Sequence, residues 1–171
     1  MDHFAKPTDE LSKAQQQGRL HRNFQGYTTH AGCDLIAVGV SAISSVHESY
    51  SQNEKTLDEY YEAIDEKRLP IIRGVRLTDE DVLRRDIIQQ FSCQFMLDIR
   101  TIEQDYRINF RDYFSLEMAE LTTLAADDLL TIEEDFLQVT PAGRLLVRRI
   151  CMVFDTYLRE QRMEQRYSKV I

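Results

Sequence analysis

Apolar positions along this chain follow two patterns. The first is a single unbroken run, Leu35-Ile36-Ala37-Val38-Gly39-Val40, set in polar surroundings. It is too short for a buried helix and rich in β-branched residues. It therefore predicts a strand covered on both faces, of the kind found in parallel sheets, over residues 34–43. That strand is expected to be the best-ordered element of residues 1–77. The preceding segment, residues 25–32, is polar and contains glycine, which predicts a loop. Small residues follow in Gly39-Val40-Ser41-Ala42-Ile43-Ser44. In α/β barrels ligands sit at that end of a strand, and small side chains let them approach the backbone.

The second pattern is helical spacing. Thr8 is placed to cap a helix through Leu11, Ala14 and Gln17, stopped by Gly18 and polar nearly all round. Residues 47–53 are polar and predict a loop. Leu57, Tyr60, Tyr61 and Ile64 predict a helix over 55–67, which Pro70 ends, and residues 71–77 are extended. The division into domains is expected at about Leu77, giving 1–77 and 78–171. Thr78 then caps a helix whose apolar face runs from Leu83 to about Leu97. A short helix over 101–107 and a third over 113–125 follow. Residues 129–132 and 136–139 read as strands joined by Glu133-Glu134-Asp135. Thr140-Pro141 is a strong start signal for a last helix over 140–158, running through Leu145, Ile150, Phe154 and Tyr157. The expected class is α+β or mainly α. Residues 78–171 form a helical domain with a winged-helix-like order of elements.

Composition narrows the function classes. With 171 residues and a net charge of −8, general nucleic-acid binding is disfavoured. Winged helices often bind DNA, yet residues 78–139 hold five arginines, no lysine and fifteen acids. The expected recognition helix carries Glu117 and Glu120, and the wing tip is acidic, so phosphate contact would be repulsive. Basic residues gather instead in the last helix, as Arg144, Arg148, Arg149, Arg159, Arg162 and Arg166, where a solvated face or pairs with those acids are expected. No apolar stretch is long enough to span a membrane, and no signal-peptide pattern opens the chain. Cys33, Cys93 and Cys151 are sparse and odd in number, which fits a reducing cytoplasm. Their spacing suits neither zinc nor an iron–sulfur cluster. His3, His21, His30 and His47 form no metal-ligand motif.

Certain residues carry a family likeness. Arg22-Asn23-Phe24-Gln25-Gly26-Tyr27-Thr28-Thr29, followed by Gly39-Val40-Ser41-Ala42-Ile43-Ser44, closely resembles oxygen-independent coproporphyrinogen III oxidase, a radical S-adenosylmethionine enzyme of haem biosynthesis. The opening Met1-Asp2-His3-Phe4-Ala5 resembles the same family. So do Gly143-Arg144-Leu145-Leu146 and Cys151-Met152-Val153-Phe154-Asp155-Thr156-Tyr157-Leu158. The family's CxxxCxxC cluster motif lies upstream of these segments. The resemblance thus implies the C-terminal part of a longer enzyme, with residues 1–77 the end of a radical-SAM α/β barrel.

The resemblance also implies a site. On composition a lone Phe24 is core and Gln25 is a loop residue. In the family that pair lines the active site and touches a second S-adenosylmethionine, an aromatic ring packing on adenine or the sulfonium and an amide bonding polar edges. Ile43 is core by default; the matching family position contacts the S-adenosylmethionine bound to the cluster. Arg22 is placed to meet a propionate of the substrate, coproporphyrinogen III. The full-length enzyme is expected to be a monomer holding a [4Fe–4S] cluster. This chain alone is expected to bind no iron, to be inactive, and to cover its barrel surface by self-association or rearrangement. Haem chaperones of the same superfamily are the alternative, but they lack the 22–29 pattern. A non-catalytic winged-helix module that binds protein is the alternative from another class.

Overall fold

The computed structural model describes residues 5–167. The opening Met1-Asp2-His3-Phe4 lies outside the described residues. The chain forms two compact units, Met1–Ala14 with Arg19–Val82, and Gln15–Gly18 with Leu83–Ile171.

Helix α1 (Glu10–Gln16) begins at Asp9 rather than Thr8, since the Asp9 carboxylate accepts the Leu11 amide at 2.9 Å. Gly18 ends it with a φ of +67°, and the Arg19 amide donates back to the Ala14 carbonyl at 2.8 Å. Strands β1 (His21–Asn23) and β2 (Gly26–Thr28) form an antiparallel hairpin. Part of the segment expected as loop is therefore strand. The Asn23 side chain accepts the Gln25 amide at 2.9 Å and Gly26 takes a φ of +132°, which together fold the chain over a two-residue turn.

Strands β3 (Ile43–Val46) and β4 (Ser49–Asn53) make a second hairpin. Helix α2 (Leu57–Asp65), capped by Thr56, leads to β5 (Ile71–Arg76), which pairs antiparallel with β4. The sheet order is β3-β4-β5. Residues 47–53 are thus mostly strand rather than loop, although the helix and the extended segment after Pro70 stand where periodicity put them.

The buried parallel strand over 34–43 is not formed. Leu35 makes one antiparallel bridge to Ser45, and residues 36–42 are irregular. Ile36 is 77% and Val38 84% exposed, where cover on both faces was expected. The cause lies in the partners of the backbone. Asn53, buried at 6% exposure, donates its side-chain amide to the Gly39 carbonyl at 2.9 Å and to Ala37 at 3.4 Å. The Tyr60 hydroxyl accepts the Gly39 amide at 3.1 Å, and the Ser44 hydroxyl accepts that of Ala37 at 3.0 Å. Side chains thus satisfy groups that a neighbouring strand would otherwise take. Gly39 and Ser41 turn left-handed, with φ of +104° and +59°. Every strand pairing among the described residues is antiparallel, and no barrel closes.

Helix α3 (Asp79–Gln94), in the second unit from Leu83 on, starts at Thr78, whose hydroxyl accepts the Asp81 amide while Asp81 accepts the Thr78 amide. The helix stops before Leu97 because Phe95 turns left-handed at a φ of +57°, which releases β6 (Met96–Asp98). Helices α4 (Ile99–Tyr106), α5 (Phe110–Tyr113) and α6 (Ser115–Ala126) follow, the first two capped by Asp98 and Asn109. Strands β7 (Leu130–Ile132) and β8 (Phe136–Val139) complete an antiparallel sheet of order β6-β8-β7.

The expected single helix over 140–158 is broken. It consists of α7 (Pro141–Arg144), α8 (Val147–Cys151), a 3₁₀ turn over Met152–Phe154, and α9 (Thr156–Tyr167). The break lets Phe154 enter the core, where it meets the rings of Phe91, Phe110 and Phe114, all four fully buried. Asp155 restarts the helix by accepting the Leu158 amide at 2.9 Å.

One charged cluster lies at this core. Glu117, 2% exposed, pairs with Arg84 at 2.9 Å and Arg159 at 3.1 Å. Both arginines also hold the chain break, donating to the carbonyls of Phe154 and Val153. Arg84 lies over the Phe114 ring as well, 5.1 Å from its centroid. Nearby, burial, reinforced by the Asp86 carboxylate that its hydroxyl donates to, pushes the Tyr106 phenol up.

Two substitutions test this packing. A Cβ at Gly143 would stand 1.8 Å from the Leu129 carbonyl oxygen, so Gly143→Ala forces backbone apart. It should cost at least about 2–3 kcal/mol in urea unfolding, and an unchanged midpoint would contradict the packing described. Asn53→Ala leaves the Ala37 and Gly39 carbonyls without their side-chain donor. It should cost about 1–3 kcal/mol. Amide exchange across residues 37–42 should quicken while that of the second unit stays as it is; unchanged exchange there would show that Asn53 does not hold the turn.

Candidate functional site

Phe24 and Gln25 are the two turn residues of the β1–β2 hairpin, and both side chains are exposed at its tip. A ring half-exposed on a tight turn is not core. Phe24 instead sets its ring edge-on against Tyr50, with centroids 5.1 Å apart and planes at 86°. Arg22 is directed elsewhere. It stands opposite Tyr27 across the hairpin, and its guanidinium lies 5.6 Å from that ring's centroid.

The β3-β4-β5 sheet shows what Tyr50 brings Phe24 to. Directly paired residues of antiparallel strands share a face, as do residues two apart along a strand. Ile43 pairs with Gln52, which pairs with Arg73. Ser45 pairs with Tyr50, which pairs with Val75. These two adjoining rungs place Ile43, Gln52, Arg73, Ser45, Tyr50 and Val75 on one face. The Phe24 ring joins that face through Tyr50. Of the residues singled out from the sequence, Phe24 and Ile43 are thus brought to one surface, with Gln25 beside Phe24 on the turn. Ile43 opens an antiparallel strand, half-buried, instead of closing a buried parallel one.

The polar members of this face are fixed by each other. Gln52 donates its side-chain amide to the Ser41 carbonyl at 3.2 Å and accepts from Arg73 Nε at 2.9 Å. Ser41 enters through its backbone and Ser44 through its bond to Ala37, so neither hydroxyl is aimed at a ligand by these contacts. Sequence reasoning missed Tyr50, Gln52 and Arg73 as a group. The available signal was the alternation of small and large residues in Ser49-Tyr50-Ser51-Gln52, a period of two hidden by its polarity.

The remaining candidates stay apart. Cys33 is exposed, while Cys93 and Cys151 are buried in the second unit. Among the described residues no three His, Cys, Asp or Glu side chains are placed to hold a metal ion, and no helix is long and apolar enough to cross a membrane.

Known proteins match this arrangement over the whole chain. The family model described as the HemN C-terminal domain matches residues 77–146. The oxygen-independent coproporphyrinogen III oxidase of Escherichia coli is 50% identical over 171 residues, covering all of this chain and 37% of the relative. That of Salmonella typhimurium is 49% identical over the same span. A solved structure, described as coproporphyrinogen III oxidase (HemN) from Escherichia coli and as a radical SAM enzyme, superposes with a TM-score of 0.89 at 51% identity. That match covers 92% of this chain and 36% of the other. The chain therefore spans little more than a third of the length of these relatives. Residues 77–146 thus match the HemN C-terminal domain, and along its full length the chain is identical at half of its positions to about a third of an oxygen-independent coproporphyrinogen III oxidase.

Proposed function

We propose that this chain is the C-terminal part of an enzyme that converts coproporphyrinogen III to protoporphyrinogen IX without oxygen. Each of two propionate side chains becomes a vinyl group, losing carbon dioxide, one proton and two electrons. The observation that carries the reading is identity at half of all positions with oxidases of that name, in an alignment that includes the hairpin and the sheet face.

Two groups are implied, S-adenosylmethionine and a [4Fe–4S] cluster, which supply the radical chemistry when bound. The residues fit the first. Phe24, Tyr50 and Ile43 offer an aromatic and apolar surface for adenine or a sulfonium, and Gln25 offers an unburied amide beside it. They do not fit the second. One cysteine is exposed and two are buried in the other unit, with no cluster spacing. This chain contributes one wall of the site, and cluster ligands come from elsewhere in the full-length enzyme.

The second unit runs helix, strand, two helix segments, α6 and then a two-stranded wing, with β6 joining the wing as a third strand. That order supports a winged-helix reading. Glu120 on α6 and Glu133-Glu134-Asp135 at the wing tip favour a protein-facing role over phosphate contact, whereas Glu117, expected on that surface, is buried against Arg84 and Arg159. Three cysteines, sparse and odd in number, support a cytoplasmic setting.

Gln25→Ala in the full-length enzyme tests the site. Gln25 lies exposed on a turn, so thermal stability should hardly change. Loss of a hydrogen bond to a bound cofactor should cut turnover of coproporphyrinogen III about tenfold or more. Wild-type turnover in that variant would remove Gln25 from the site. Ile43→Ala should lower both turnover and melting temperature. Its stability cost should fall below the about 2–5 kcal/mol of a fully buried position.

A further inference from the structure

We propose that Arg73 binds a propionate carboxylate of the tetrapyrrole substrate and so helps to select it. This rests on the oxidase reading. Arg73 occupies the same rung of the sheet as Ile43, two strands across, with Gln52 between them. Neighbouring strands lie about 4.8 Å apart, which puts the two backbones roughly 10 Å from each other on one face. The guanidinium is oriented rather than loose. Its Nε is held by Gln52, and Gln52 is anchored in turn on the Ser41 carbonyl.

Holding an arginine through Nε leaves the two terminal nitrogens, whose paired N–H groups match the two oxygens of a carboxylate. Its partner is a neutral amide, so the positive charge is not cancelled there. Among the described residues no carboxylate pairs with Arg73. Phe24, Tyr50 and Ile43 are the surface that the reading above gives to the cofactor; Arg73 lies across the face from Ile43, beyond Gln52, with Val75 on the next rung of its own strand. A substrate that carries several carboxylates and lies next to that cofactor would reach the oriented cation at the far side with one of them. The net charge of −8 makes a general anion trap unsuited to this chain.

S-adenosylmethionine also carries a carboxylate, so the test separates the two ligands. In the full-length enzyme, KM for coproporphyrinogen III and binding of its oxidised, unreactive analogue coproporphyrin III would be measured for the wild type, Arg73→Lys and Arg73→Gln. Equilibrium binding of S-adenosylmethionine and melting temperature would be measured beside them. For Arg73→Gln, kcat/KM should fall about tenfold, with the larger part of the loss in KM and a matching loss of coproporphyrin affinity. Arg73→Lys keeps the charge but not the fork, so it should retain part of that affinity. S-adenosylmethionine affinity and melting temperature should not move. Added salt should weaken coproporphyrin binding less in Arg73→Gln than in the wild type.

An unchanged KM and coproporphyrin affinity in a folded, active Arg73→Gln enzyme would overturn the proposal and leave the oxidase reading standing. Loss confined to S-adenosylmethionine affinity would assign Arg73 to the cofactor and overturn it equally. A cluster-loaded wild type that turns over no coproporphyrinogen would overturn the oxidase reading, and this proposal with it.

Discussion

A buried amide governs the first unit. Asn53 carries two donors into a place with little water, and the Gly39 and Ala37 carbonyls take them. An unpaired buried amide would be costly, so the chain around it has little choice. Residues 36–42 fold over Asn53 as a turn, Tyr60 and Ser44 take the amides of Gly39 and Ala37, the Glu54 carbonyl takes that of Ser41, and the backbone is delivered to Ile43 in a fixed direction. From there β3 can only pair back along β4. The face that gathers Ile43, Tyr50, Gln52 and Arg73 follows from that pairing. Glu117 has a comparable place in the second unit. It satisfies two arginines whose other bonds hold the break that lets Phe154 into the core.

The parts of the fold that were legible are those decided locally. Thr78 and Thr140 each cap a helix and Gly18 ends one where expected, because capping depends on neighbours within four residues, whereas the helix that Pro70 was expected to end stops at Asp65, and Lys67 turns left-handed. Strands β7 and β8 were legible from turn chemistry. What stayed hidden was decided by distant partners. Residues 35–40 have the composition of a covered strand, but composition cannot say that Asn53, more than ten residues away, takes the carbonyls. Ser49-Tyr50-Ser51-Gln52-Asn53 looks like loop because its polar residues lie in a narrow sheet with half-buried faces. The helix expected to reach Leu97 ends early because Phe95 adopts a left-handed turn. The last helix breaks because burying Phe154 outweighs continuous hydrogen bonding.

The site was legible only in part, and for the same reason. The resemblance singled out Phe24, Gln25 and Ile43, but spacing alone could not join residues nearly twenty positions apart. Tyr50 joins two of them, and it sits in the strand that sequence reasoning missed. Arg22 was expected to meet a propionate; its guanidinium lies over the Tyr27 ring. Arg73, far along the chain, comes to the face because β5 completes the sheet. The first unit also exposes Ile36, Val38, Leu57, Tyr61 and Ile64. That much apolar surface on one small unit is in keeping with a wall that meets the rest of a larger enzyme.

The central claim is that this chain is the C-terminal wall of an anaerobic coproporphyrinogen oxidase. It is tested most directly by exchange. The matching stretch of the Escherichia coli oxidase, 50% identical to this chain, would be replaced by these residues, and the chimera loaded with iron, sulfide and S-adenosylmethionine under anaerobic conditions. The account predicts conversion of coproporphyrinogen III to protoporphyrinogen IX, lost on reverting the chimera to the truncated E. coli portion alone. A folded chimera with its full complement of iron and sulfide, yet with no turnover, would contradict it.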